Sequence, residues 1–352
     1  MTKARVVIEG LSPQVDCGRF PARRIVGDVV VVEADVFTDG HDSVAASVLY
    51  RHESETQWHQ MPMSFLGNDR WQGSFNALKL GRYLFTVEAW VDHLESWRRG
   101  LAKKVEAGQD VEIDLKQGAA LALAHAGRVA AADADRLREW ASALTDPVRE
   151  REQRALLAQS EALHGLARRS PDPVLVRRHE PPLAIEVERE RARFSSWYEM
   201  FPRSAAPHAG EHGTLADVEA LLPYVASMGF DVLYLPPIHP IGETERKGPN
   251  NRVGASPEDP GSPWAIGSRE GGHKAVHPRL GTLEDFRRLL ASAGALGLEV
   301  ALDIAFQCAP DHPYVREHPQ WFLKRPDGSV QYAENPPKKY QDIYPFWFEC
   351  ED

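Results

Sequence analysis

One helix-then-strand phrase occurs twice in this chain, at the same spacing, and it restricts the fold more than any other feature. In the second copy Thr282 is placed to cap a helix, with Asp285 three residues on. Phe286, Leu289, Leu290, Ala293 and Leu296 then recur at helical spacing until Gly297 supplies a stop. The run Leu298 to Ala305 follows, apolar enough for a strand covered on both faces, and carries Asp303 and Gln307 towards its carboxyl end. In the first copy Thr214 and Asp217 open the helix, Val218, Leu221, Leu222 and Val225 share a face, and Gly229 precedes the strand Asp231 to Leu235. Two such units in one register predict consecutive segments of a (β/α) barrel or an open α/β sheet. Folds of both kinds place their chemistry at the carboxyl ends of the strands.

The preceding residues belong to other structural classes. Residues 1–115 read as a β-sandwich: Val29 to Val32, Ala45 to Tyr50, Trp71 to Phe75 and Arg82 to Val87 are strand-like runs between turns rich in Gly, Asp and Asn. Trp58, Trp71, Trp90 and Trp97 can fill its core or form a platform for stacking sugars, and packing is the favoured reading. Residues 116–180 change to alanine, leucine and alternating charge, with Asp146-Pro147 as a turn between two helical segments. Two long helices make a poor core, so this helical insertion is expected to pack on the sandwich or to support a homodimer. Residues 181–193 alternate apolar and charged side chains, as a strand returning to the sandwich does. Residues 194–352 then form the barrel-like part.

Composition narrows the function. A net charge of −10 argues against a general nucleic-acid surface, and no stretch approaches the roughly 20 apolar residues of a membrane span. With no apolar leader at the amino terminus, a cytoplasmic location is expected. Cys17, Cys308 and Cys350 form no CxxC pair, and His239, His273 and His277 lack metal-ligand spacing. Neither a metal nor a cofactor is therefore expected. Cys308 beside His312 is read as a packed thiol in preference to a nucleophile.

Two loop segments hold the polar residues of interest. Pro236 to His277 is long for a compact domain and includes Lys247 followed by Gly-Pro-Asn-Asn. Ala333 to Asp342 gathers an amide, two ammonium groups, a phenol and a carboxylate, a set able to hold phosphate oxygens and sugar hydroxyls.

Taken in order, SSWYEMFPRS, DVLYLPPIHPIGETERKGPNN, GGHKAVHPRLGTLEDF, LEVALDIAFQCAPDHP and AENPPKKYQDIYP closely resemble the alpha-1,4-glucan:maltose-1-phosphate maltosyltransferase family of the alpha-amylase superfamily. The resemblance implies an amino-terminal β-sandwich with a helical insertion, then the first part of a (β/α)8 TIM barrel. It also implies retaining transfer of maltosyl units from alpha-maltose 1-phosphate to the non-reducing end of an alpha-1,4-glucan, with release of phosphate. By motif position Lys247, Gln307 and Asp342 resemble donor-sugar contacts, and Asn335, Lys338 and Tyr340 resemble the phosphate pocket. Asp303 matches the superfamily's first barrel motif, where Gln307 and Cys308 replace the usual asparagine and histidine. The nucleophilic aspartate and the acid/base glutamate follow later strands in this family, so both are expected beyond Asp352. Alone, the 352-residue chain is expected to be inactive. Two alternatives remain open at this stage, an alpha-glucan hydrolase and a non-catalytic fragment for glucan binding or oligomerisation.

Overall fold

The computed structural model describes residues 4–351, apart from the side chain of Leu163, and the chain divides after Arg193 into two compact units. In the first unit, β1 (Val7–Ser12), β2 (Ala22–Ile25), β3 (Val29–Phe37), β4 (Val44–His52), β5 (His59–Pro62), β6 (Ser64–Gly67), β7 (Arg70–Asn76) and β8 (Gly81–Val91) come first. One sheet runs β1-β3-β7-β6. The other runs β2-β10-β8-β4-β5, with β9 (Arg177–Arg178) also on β8 and β10 spanning Leu183–Glu188. Alternation fixes which side faces inward: along β3, Val30, Val32, Ala34 and Val36 are buried while Val29 and Val31 are exposed. Phe85, Val87 and Ile185 complete the core between the sheets.

Where the chain returns, Leu183, Ile185 and Val187 point inward and the charged residues between them outward, so β10 pairs antiparallel with β8 and parallel with β2. The strand ends at Glu188, and a 3₁₀ turn covers Glu190–Ala192.

The helical part differs from the expected hairpin spanning residues 116–180. It starts at α1 (His93–Glu106) and continues through α2 (Glu112–Ala126), α3 (Ala131–Leu144), α4 (Arg151–Leu157) and α5 (Glu161–Arg168). The boundary at 115/116 therefore falls inside α2. The alanine-rich composition starts late, but the local signal comes earlier: Asp92 caps α1 by accepting the Glu95 N–H at 2.9 Å. Trp97 thus belongs to a helix. Five helices bury a core of their own around Leu101, Leu115, Leu137 and Leu144.

Trp97 meets Trp140 edge to face at 6.2 Å and donates its indole N–H to the Asp114 carbonyl at 2.7 Å. Gly118 lies against that ring, and a Cβ there would enter it. Gly118→Ala should therefore destabilise the chain by about 1–3 kcal/mol, despite alanine's better helix propensity. Urea unfolding measures this, and a stabilised variant would contradict the packing described.

In the second unit β11 (Trp197–Glu199), β12 (Val232–Leu235) and β15 (Glu299–Leu302) form a parallel sheet in that order. The connections contain α6 (Leu215–Ser227) and α7 (Leu283–Ala295). Both helices open with complete capping boxes, Thr214 with Asp217 and Thr282 with Asp285, and both are followed by glycines at positive φ, Gly229 and Gly297. Leu222, Val225, Leu233, Leu235 and Leu289 form the core between helices and strands. Short pieces follow the strands' carboxyl ends: β13 (Lys247–Gly248) with β14 (Arg252–Val253), β16 (Gln307–Cys308) with β19 (Tyr344–Pro345), helix α8 (Pro313–Glu317), and the hairpin of β17 (Ala333–Asn335) and β18 (Lys338–Tyr340). No closed barrel is formed among the described residues. No helix among them is long and apolar enough to cross a membrane.

Candidate functional site

A cavity of about 620 Å³ in the second unit is lined by residues that follow β11, β12 and β15, together with residues of the carboxyl-terminal hairpin region. Lys247, Gln307, Tyr340 and Asp342 all line it, beside Phe201, Arg203 and Trp264. Four of the six residues singled out in the sequence therefore share one cavity. Asn335 and Lys338 are cross-strand partners in the β17–β18 hairpin, both exposed and outside that lining.

Two buried groups give the cavity its electrostatic character. Lys247 is 6% exposed and donates a hydrogen bond from Nζ to the Gln341 side-chain carbonyl. Asp342 is 2% exposed, and its Oδ1 has no hydrogen-bond partner. Burial pushes the Asp342 carboxyl above its ordinary range, and the nearby Lys247 charge opposes the shift only in part. A buried acceptor without a donor is costly and calls for an explanation. Here it lies beside a cation in the wall of an open cavity.

Other elements fix the remaining side chains. Gln307 sits in β16 and donates from Nε2 to the Trp264 carbonyl at 3.4 Å, while the Trp264 indole donates to Asp303 Oδ2 at 2.7 Å. Tyr234 also hydrogen-bonds to Asp303, so this carboxylate serves as an anchor between β12 and the loop that carries Trp264. Arg203 donates to the Gly261 carbonyl at 2.8 Å and lies over the Phe201 ring, and burial pulls its pKa down. It forms no ion pair with an acidic residue among those described, which leaves a second cation facing the cavity. Arg203 and Trp264 lie outside the candidate set read from sequence; an arginine after a short strand and a tryptophan amid Gly, Ser and Pro were the available signals.

A carboxylate and a histidine pair hold the surrounding loops. Asp311 accepts backbone N–H groups from Glu243 at 2.7 Å and Ser268 at 3.3 Å, and a Cβ on Gly242 or Gly267 would collide with Asp311 and Ala309. His273 Nε2 donates to the Ala305 carbonyl at 2.8 Å, which leaves Nδ1 to accept from His312 Nε2 at 3.0 Å. His312 Nδ1 in turn accepts the Tyr314 N–H at 3.0 Å, so both rings are neutral and serve as braces. Cys308 is fully buried, and burial with the Asp311 charge pushes its thiol far up, the reverse of what a nucleophile needs. No cluster of His, Cys, Asp and Glu able to hold a metal occurs among the described residues.

Residues 4–189 match the family profile described as alpha-1,4-glucan:maltose-1-phosphate maltosyltransferase, domain N/S. The chain belongs to this family. Proteins called alpha-1,4-glucan:maltose-1-phosphate maltosyltransferase from Chlorobaculum tepidum and Methylacidiphilum infernorum are each 51% identical to it over 350 residues, covering 99% of this chain and 52% of their own length. The protein of that name from Myxococcus xanthus is 50% identical over 349 residues. The chain thus spans about half the length of the curated family members it matches. Among solved structures, an alpha-amylase from Lactobacillus plantarum aligns with 43% of this chain and 31% of its own at 33% identity, with a TM-score of 0.35.

Proposed function

We propose that this chain forms the donor-binding wall of a retaining maltosyltransferase, which moves maltosyl units from alpha-maltose 1-phosphate to the non-reducing end of alpha-1,4-glucans and releases phosphate. In this reading β11, β12 and β15 are the first three strands of a (β/α)8 barrel, and the cavity lies at their carboxyl ends. Buried, unpartnered Asp342 Oδ1 beside Lys247 is the observation that carries the proposal. Such a carboxylate is satisfied by sugar hydroxyls, which donate the bonds it lacks, while Lys247 and Gln307 donate to other sugar oxygens. Tyr340 reads phosphate from the cavity wall, with Asn335 and Lys338 of the adjoining hairpin as its further contacts, and Arg203 adds positive charge.

Retaining transfer needs a carboxylate to attack the anomeric carbon and a carboxylic acid to protonate the departing phosphate, the latter then deprotonating the acceptor hydroxyl. We assign neither role within residues 1–352. Asp303 is engaged by Trp264 and Tyr234, and Asp342 is assigned to binding.

The test is titration of maltose 1-phosphate into the 352-residue chain by calorimetry, with phosphate release followed in the presence of maltoheptaose. Saturable binding without turnover is expected. Phosphate release by this chain alone would overturn the assignment of the reacting groups elsewhere. Absence of donor binding, or release of free sugar from glucan without a phosphorylated donor, would overturn the function itself.

A further inference from the structure

The first unit contains a second cavity, of about 770 Å³, within the usual range for small-ligand sites of about 300–1,000 Å³. Its existence follows from residue size. Ala45 and Ser47 project from β4 on the same side as Trp90, the cross-strand partner of Ala45, and Gly165 of α5 also lines the space. Small side chains on sheet and helix leave open a gap that larger ones would fill.

The two rims differ in chemistry. On one, Phe65 and Trp71 stand 5.4 Å apart; Phe65 is 57% exposed, and the Trp71 indole N–H is already satisfied by the Val36 carbonyl at 3.1 Å. Ring faces are therefore what this rim offers. On the other rim Arg99 and Arg168 flank Glu95, at 3.0 and 3.1 Å. Glu95 is only 3% exposed; burial pushes its pKa up, but Arg98 and Arg168 outweigh that effect and keep it ionised. Each guanidinium has more N–H donors than these bonds consume.

We propose that this cleft is a second, non-catalytic site that binds a neutral oligosaccharide, with sugar rings stacked on Phe65 and Trp71 and hydroxyl oxygens accepting from Arg99 and Arg168, which Glu95 holds in place. A carbohydrate uses both rims together, its ring faces on the aromatic side and its hydroxyl oxygens on Arg99 and Arg168, whereas a small anion would leave the aromatic faces unused. Of the four tryptophans that suggested a stacking platform, Trp71 and Trp90 line this cleft, while Trp58 and Trp97 are packed elsewhere. The choice of an alpha-1,4-glucan as the oligosaccharide rests on the proposed function; the chemistry of the cleft does not.

Maltoheptaose is titrated by calorimetry into the chain and into Phe65→Ala, Arg99→Ala and Lys247→Ala variants, at low and high ionic strength, with thermal unfolding as the folding control. Loss of stacking or of a charge-assisted hydrogen bond should weaken binding by about tenfold in each of the first two variants. Added salt should leave the affinity unchanged, since the ligand is uncharged. The proposal is overturned if maltoheptaose does not bind, if Phe65→Ala and Arg99→Ala both fold and bind normally, or if Lys247→Ala alone abolishes binding. It is also overturned if inorganic phosphate occupies the cleft with an affinity that collapses in salt. Donor binding, read separately with maltose 1-phosphate, can succeed or fail independently of each of these results.

Discussion

Asp342→Asn should raise the chain's thermal midpoint while weakening its binding of maltose 1-phosphate by about 10–100-fold, the worth of charge-assisted hydrogen bonds of about 1.5–3 kcal/mol. The two effects have one source. Asp342 is buried with an unsatisfied oxygen, and its folded-state pKa lies above the ordinary value. For an acid shifted upward, the unfolded chain ionises first as pH rises, so the group costs folding free energy at neutral pH. Asparagine has the same shape and no charge, which removes the cost along with the strongest acceptor in the cavity. Calorimetry and scanning fluorimetry are sufficient to check this. Unchanged affinity would refute the binding role, and a lowered midpoint would refute the cost of burying the carboxylate.

Acidification from neutral pH should destabilise the second unit through its buried histidines. His277 and His312 are each pulled from 6.5 to about 4, foremost by burial. His212, Arg279 and Arg246 add to the effect at His277 against Glu270, and His273 and His239 add to it at His312 against Asp311. For a base shifted downward, the unfolded chain takes up the proton first. Stability is therefore complete above pH 6.5 and falls as pH drops towards 4. Each histidine contributes a slope of up to about 1.4 kcal/mol per pH unit. Urea unfolding at a series of pH values should show this slope, and His312→Asn should reduce it by one proton's worth. An unaltered slope in that variant would mean that His312 is already charged in the folded chain.

Local grammar made part of the molecule legible in sequence. The boxes at Thr214 and Thr282 and the stops at Gly229 and Gly297 depend on neighbours three or four residues away, so they could be read directly. Alternation in Leu183 to Glu188 likewise identified the returning strand. The helices beginning at His93 were missed because composition was averaged over a stretch longer than the Asp92 cap that starts them. In the cavity, Lys247 and Gln307 lie far in the chain from each other and from the neighbouring pair Tyr340 and Asp342, and only resemblance to a family joined the three places in advance. Arg203, Trp264 and Asp311 carried no such signal: their partners, the Gly261 carbonyl, the Asp303 carboxylate and the Glu243 N–H, are brought near only by the tertiary fold.

The two self-contained helix-and-strand modules have a consequence for how this protein can change over evolutionary time. Each carries its own start and stop, and the register of β12 against β15 is set by strand pairing, with Val232 opposite Glu299 and Leu235 opposite Leu302. The intervening stretch from Pro236 to His277, which supplies Lys247 and Trp264 to the cavity wall, does not set that register. Because the entropy of closing a loop grows only slowly with its length, that stretch can gain, lose or exchange residues at small cost to the sheet. New ligand preferences can thus arise in the wall of the cavity while the strands that carry it remain as they are.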